Sequence, residues 1–139
     1  MPASSLPNLP PRVWLALASA TTAAVVYLSL GNAPQLAPTW LTFAGADKVN
    51  HALAYATLAV LWWLAFRQNR ARGRAGLAGA AARFGPGQRL WGALFALGAL
   101  LEVLQWGYYP ARYFELADML ANGVGAALGC LAAARIFPT

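Results

Sequence analysis

The chain of 139 residues is too apolar for a protein whose whole surface faces water. Hydrophobic residues make up 60% of it and charged residues only 10%, whereas soluble domains carry about 25% charged residues. So few charges cannot cover a water-facing surface, which predicts lipid as the solvent. The length suits one domain, assigned to residues 1–139. The single Cys130 excludes an intramolecular disulfide framework and is interpreted as a small packing residue.

Four apolar stretches predict an all-α fold, a four-helix transmembrane bundle. They cover residues 13–30, 49–66, 90–107 and 116–137. A helix that crosses the hydrocarbon core needs about 20 residues, with a working range of about 17–25, and all four stretches fit it. Tryptophans lie near the ends of these spans, as in an interfacial aromatic belt: Trp14, Trp40, Trp62, Trp63, Trp91 and Trp106.

The first apolar stretch has an alternative interpretation as a cleaved signal peptide. Arg12 precedes it, and a basic residue before an apolar run is typical of such peptides. Against this, the run is long for the apolar part of a signal peptide, and three further spans follow. We therefore expect the stretch to stay in the protein as the first span.

The basic residues are concentrated on one side of the predicted bundle. Eight of the ten lie at the chain ends or at and between the ends of the second and third spans. All four acidic residues lie toward the other side. The positive-inside rule then predicts that both termini are cytoplasmic and that residues 31–48 and 108–117 face outward. Residues 68–88 are interpreted as a connector that binds lipid headgroups and not nucleic acid, despite the net charge of +6.

Polar and ionisable residues recur at the outward ends of the second, third and fourth spans. Spacings of three or four residues put the members of each group on one helix face. Glu102 lies about 7 Å inside the end of its span, at ~1.5 Å per residue. The candidate site comprises nine residues: Asp47, Lys48, His51, Tyr55, Glu102, Gln105, Arg112, Asp118 and Asn122.

The cost of charge in lipid predicts that these groups meet. An ionisable side chain costs roughly 2.5–3.5 kcal/mol at the centre of a spanning helix. Three helices carry such residues at the same predicted depth, so we expect them to face one another instead of acyl chains. The expected pairing is Arg112 or Lys48 with Glu102 and Asp118, bridged by His51 and Gln105.

Several of these residues also have a structural interpretation. The two aspartates could be helix N-caps that satisfy free backbone N–H groups. His51, Gln105 and Asn122 could be interhelical hydrogen bonders, and Tyr55 could be a packing residue. Glu102 is the hardest to explain in this way, because uncharged residues serve equally well to join helices.

Three other residues are assigned no chemistry. Gly125 and Gly129 are spaced to allow close helix approach, which predicts a packing role. Glu115 has no partner in the helical pattern and is interpreted as a solvated loop charge.

The order and spacing of these motifs resemble the signature of VanZ-like membrane proteins. Residues 47–55 match D-K-x-x-H-x-x-x-Y, and Glu102 and Gln105 match E-x-x-Q. A P-x-R motif follows at 110–112, then D-x-x-x-N-x-x-G-x-x-x-G at 118–129. The resemblance implies a small, mostly helical bacterial membrane protein. Together with the four spans and the placement of the arginines, it predicts a multi-pass protein of the bacterial cytoplasmic (inner) membrane whose site faces the periplasm or exterior. The family's namesake is associated with low-level teicoplanin resistance, a phenotype of one branch that does not transfer to this chain.

The first functional hypothesis is recognition of an anionic cell-envelope component, either lipid-linked or peptidic. Lys48 and Arg112 would contact the anion, and the carboxylates would orient them. The bilayer is the other expected partner, and homo-oligomerisation is left open.

Two further hypotheses come from other functional classes. In a membrane enzyme that acts on such a component, His51 or Glu102 would be the general base. The chain has no strong nucleophile motif, so catalysis is left open. In a structural accessory subunit, the polar residues would only join helices. Carboxylates with one histidine could hold a divalent metal, but one histidine is thin support for zinc. No metal or cofactor is therefore assigned from the sequence.

Overall fold

The fold is a bundle of four α-helices. The computed structural model describes residues 9–31, 45–71, 85–108 and 115–138, and contains no strand within these ranges. The helices are α1 (Pro11–Leu30), α2 (Ala46–Ala71), α3 (Pro86–Tyr108) and α4 (Leu116–Ile136). Each is long and apolar enough to cross a membrane. The predicted all-α class with four spans is confirmed.

The helices extend beyond the predicted spans, mainly at α2 and α3. The second span was predicted at 49–66, but α2 begins at Ala46 and ends at Ala71. The third was predicted at 90–107, but α3 begins at Pro86. Hydropathy marks only the apolar centre of a helix, whereas its backbone hydrogen bonds continue into polar flanks. Proline suits a first helical position, because it has no N–H to leave unpaired.

The small residues of α2 and α4 let these two helices pack most closely. A Cβ added at Gly125 would overlap the backbone carbonyl of Ala52, and one at Gly129 would overlap that of Ala56. Without side chains at these two positions, the helix backbones can meet, as in small-xxx-small packing between membrane helices. The expected packing role of both glycines is confirmed.

The core lies between α2, α3 and α4. Tyr55 and Leu58 of α2 are almost fully buried there, together with Leu94 of α3 and Cys130 of α4. Cys130 is thus one of the small packing residues, as expected. Large apolar side chains on the outer surface are more than half exposed, which suits contact with lipid: Leu53, Leu100, Leu120, Leu128 and Leu131.

The first helix is held more loosely than the others. Ala18 is its only buried residue. It packs on α2 and α3, and Nε1 of Trp62 donates a hydrogen bond to Oγ1 of Thr22 at 3.0 Å. Most of the α1 surface is therefore open to lipid or to a partner.

Consecutive helices run in opposite directions, which sets the two ends of the bundle. The start of α2, the end of α3 and the start of α4 meet at one end, because His51, Glu102 and Asp118 lie together. At the other end, Nε1 of Trp63 donates to the backbone oxygen of Phe137 at 3.0 Å. The polar signature residues thus belong to one end of the bundle.

Candidate functional site

We call the end formed by the start of α2, the end of α3 and the start of α4 the polar pole. Its described acidic and basic residues, with histidine included, number six, and all of them lie in helices or at a helix start. These are Asp47, Lys48, His51, Glu102, Glu115 and Asp118. They sit at the ends of helices that are otherwise apolar, which places them at the edge of the membrane-crossing segments.

Lys48 is the centre of the more exposed part of the pole. Its Nζ lies 2.5 Å from Oδ2 of Asp47, 2.5 Å from Oε2 of Glu115 and 2.7 Å from Oδ1 of Asp118. The contact with Asp118 is an ion pair with the least exposed of the three carboxylates. One ammonium thus joins α2 to α4, and it is surrounded by three carboxylates.

His51 is held by a hydrogen bond to the neighbouring helix. Its Nδ1 lies 2.9 Å from Oδ1 of the buried Asn122. An amide oxygen can only accept, so we assign the proton to Nδ1. In the neutral ring with this tautomer, Nε2 carries the lone pair, and it lies 3.7 Å from Oδ2 of Asp118.

Glu102 brings a third helix to this point. Its side chain is buried, with 3% of the residue exposed. A carboxylate oxygen of Glu102, one of Asp118 and an imidazole nitrogen of His51 all lie within 4.8 Å of one another. We call these three residues the buried triad. Lys48 pairs with three carboxylates but not with Glu102.

Tyr55 lies beneath the triad, one turn further along α2 than His51. The residue is 2% exposed, and its hydroxyl has no hydrogen-bond partner among the described residues. Gly98 of α3 leaves room for it, since a Cβ there would lie 3.2 Å from this hydroxyl and 2.9 Å from Nδ2 of Asn122. A free phenol and a buried amide thus lie close together, each one helical turn from a triad residue of its own helix.

Gln105 does not bridge the acids, so that expectation is wrong. Its Nε2 donates instead to the backbone oxygen of Ser29 in α1, at 2.6 Å. A spacing of three residues rotates it by about 60° around α3 relative to Glu102. That rotation turns Gln105 toward α1, while Glu102 faces α2 and α4.

Arg112 lies outside the described residues, as do Trp40 and most of the arginine-rich connector. The expected pairing of Arg112 with an acid therefore stays a prediction. For the alternative cation, Lys48, the pairing is observed with Asp118 but not with Glu102.

Glu115 was interpreted as a solvated loop charge without a partner. Its side chain is 53% exposed and it precedes α4, but the absence of a partner is wrong, because it pairs with Lys48. Its spacing of three residues from Asp118, across the start of α4, is the sequence signal that could have revealed this. The two aspartates are not N-caps either. Asp118 lies in the first turn of α4, after Glu115 at the N-cap position. Asp47 follows Ala46 in the first turn of α2, where the helix dipole favours an acid.

The fold and the placement of the ionisable residues define a small, multi-pass helical membrane protein with polar side chains gathered at one pole. The family model described as VanZ/LLP1 matches residues 3–137, and the chain belongs to this family. No curated protein matches the chain, and no solved structure does.

Proposed function

We propose that the polar pole recognises the headgroup of a lipid-linked, phosphate-bearing component of the cell envelope. The observation that carries this proposal is the meeting of His51, Glu102 and Asp118, from three helices that are otherwise apolar. Ionisable residues at such depth are costly and usually mark functional sites. The pole lies where the headgroup of a lipid diffusing in the bilayer would reach it.

The orientation proposed is outward, into the periplasm or exterior of a bacterial inner membrane. The arginines whose side chains the structure describes support it, because they all lie toward the end opposite the polar pole: Arg12, Arg67, Arg89 and Arg135. An excess of arginine marks the cytoplasmic side of a membrane protein.

The anion would be contacted by Lys48 and Arg112. Lys48 keeps 33% of its side chain exposed, so its ammonium can reach a ligand while the carboxylates hold it in place. The guanidinium of Arg112 suits two-point contact with a phosphate. The three carboxylates around Lys48 exceed its single charge, so a bound phosphate needs a further positive charge close by.

Retention of lipids through purification tests the proposal. The protein would be loaded in detergent with equal amounts of a polyprenyl phosphate, phosphatidic acid and phosphatidylcholine, then examined by native mass spectrometry. We expect the two phosphate monoesters to be retained in preference to phosphatidylcholine. Arg112→Ala should abolish that preference, and Arg135→Ala, which removes an arginine from the opposite end, should keep it. Equal retention of all three lipids would contradict the proposal.

A structural accessory role is the second candidate, because the polar residues do join helices. His51 binds Asn122 across α2 and α4, and Gln105 binds Ser29 across α3 and α1. This role requires polar substitutions to unfold the protein in detergent. An enzymatic role for His51 or Glu102 stays a prediction, which turnover of a lipid-linked substrate would test.

A further inference from the structure

We propose that the buried triad of His51, Glu102 and Asp118 binds one divalent transition-metal cation. Each residue comes from a different helix and offers one ligand atom. One imidazole nitrogen with two carboxylate oxygens is a donor set that suits Zn²⁺ or Mn²⁺. Three protein ligands leave at least one coordination position for a water or a ligand oxygen.

The spacing of the ligand atoms is close to what a bound cation requires. They lie within 4.8 Å of one another. Bonds of about 2.0–2.2 Å in a tetrahedral site put ligand atoms about 3.3–3.6 Å apart. Metal binding would therefore draw the most widely separated ligand atoms together by up to about 1.2–1.5 Å, a distance of the order that side-chain rotation covers.

The hydrogen bond of His51 prepares it to be a ligand. Because Nδ1 donates its proton to Asn122, Nε2 presents a lone pair toward Asp118. A lone pair and a carboxylate oxygen that face each other at 3.7 Å can both coordinate a cation placed between them. A partner on the other ring nitrogen that fixes the tautomer is typical of metal-binding histidines.

The lack of a positive partner for the Glu102 carboxylate also favours a bound cation. Within the described ranges, no lysine or arginine forms an ion pair with its carboxylate, and Lys48 is already shared among three other acids. A buried carboxylate without a counter-charge is strongly unfavourable. One divalent cation would neutralise Glu102 and Asp118 together.

The Tyr55 hydroxyl is an independent observation at the same place. It is buried, lacks a hydrogen-bond partner among the described residues, and lies beside Asn122. Tyr55 lies one helical turn from His51 in α2. A phenol left free here can hydrogen-bond the water or oxygen that completes the coordination of the metal.

The cation would also supply the positive charge that a phosphate needs at this acidic pole, and in this respect it deepens the proposed function. The metal site itself stands without that proposal, because it is defined by protein ligands alone.

Metal binding is measured on protein stripped with EDTA, carrying a purification tag without histidine, in nanodiscs of phosphatidylcholine only. After equilibration with Zn²⁺, we expect one bound zinc per chain. Glu102→Gln should weaken binding about 100-fold or more. The matched controls are Asp47→Asn and Glu115→Gln, which remove acids of the same pole outside the triad. They should keep the affinity within a few-fold. An equal loss in the controls would assign binding to the exposed acids and overturn the proposal.

A spectroscopic test on the unaltered chain avoids any question of variant folding. His51 is the only histidine, so labelling with ¹⁵N-histidine marks this ligand alone. Pulsed EPR of bound Mn²⁺ should show coupling to the labelled imidazole. Absence of stoichiometric metal, or bound metal without that coupling, overturns the proposal. Because these nanodiscs contain no phosphate monoester, failure here leaves the headgroup proposal standing, and failure of lipid retention leaves the metal site standing.

Discussion

Close packing of α2 on α4 is what brings His51 to Asn122, so a methyl group at Gly125 should disturb both packing and site. A Cβ at this position would overlap the Ala52 carbonyl and lie 2.7 Å from its Cα. His51 directly precedes Ala52, and Asn122 lies one turn before Gly125 in α4. Gly125→Ala therefore pushes apart the two residues that share the 2.9 Å hydrogen bond.

The size of the effect follows from this overlap. Ordinary contacts begin at 3.4 Å. The 2.7 Å contact with the Ala52 Cα alone requires the two backbones to separate by about 0.7 Å, and the closer carbonyl oxygen requires more. Overpacking of this kind costs typically 1–3 kcal/mol, and loss of the hydrogen bond between the helices adds about 0.6 kcal/mol. We expect the free energy of unfolding to fall by about 2–4 kcal/mol.

The assay is reversible unfolding in mixed detergent micelles, followed by circular dichroism. The chain offers two matched glycines. Gly92→Ala adds its Cβ where nothing lies within 4 Å, so it should be neutral or stabilising by up to about 1 kcal/mol. Gly98→Ala meets side chains of Asn122 and Tyr55 and should fall between the two. Equal stabilities for Gly125→Ala and Gly92→Ala would refute the proposed packing of α2 on α4.

Three further changes probe other contacts. Lys48→Met leaves Asp47, Glu115 and Asp118 without their shared counter-ion. The free energy of unfolding should therefore fall at low salt and recover as added salt screens the repulsion between the carboxylates. Unfolding in detergent at two ionic strengths measures this, and an effect that does not change with salt would contradict it. Trp91→Phe removes the N–H that donates to the Gly123 oxygen at 2.9 Å. In the same assay it should lower the free energy of unfolding by about 0.5–1.5 kcal/mol. The control Trp106→Phe changes a residue that is 62% exposed and should leave the free energy of unfolding unchanged. Asn122→Ala frees the His51 ring and should weaken Zn²⁺ binding about 10–100-fold; unchanged zinc affinity would count against its orienting role.

The four helices and the meeting of the ionisable residues could be predicted from the sequence, because a single contribution to the free energy dominates each of them. Apolar length decides whether a segment spans lipid. The cost of exposing Glu102, His51 and Asp118 to acyl chains requires them to meet, whatever the details of packing. The spacing of the small residues Gly125 and Gly129 likewise predicts a close helix contact from the sequence.

The partners of individual side chains depend on rotations that no pattern in one sequence fixes. Gln105 and Glu102 are three residues apart, and only the position of α1 decides that one binds Ser29 while the other turns to the triad. The ion pair between Glu115 and Lys48 depends on where α4 begins, which hydropathy does not give. The tautomer of His51, on which the metal proposal depends, follows only from the position of Asn122.

The central claim is that the fold holds the polar pole ready for a ligand and does not need it merely to join helices. Glu102→Gln tests this most directly, because it keeps the size of the side chain and removes its charge. Retention of the polyprenyl phosphate and the free energy of unfolding would be measured on the same nanodisc and detergent preparations, with Arg135→Ala as the control. We expect retention to fall at least tenfold, because the triad without the Glu102 charge no longer holds the cation that would face the phosphate. Stability should stay within about 1 kcal/mol, since loss of a buried charge lowers the desolvation cost. Unchanged retention together with a loss of several kcal/mol would contradict the account and make Glu102 a structural residue.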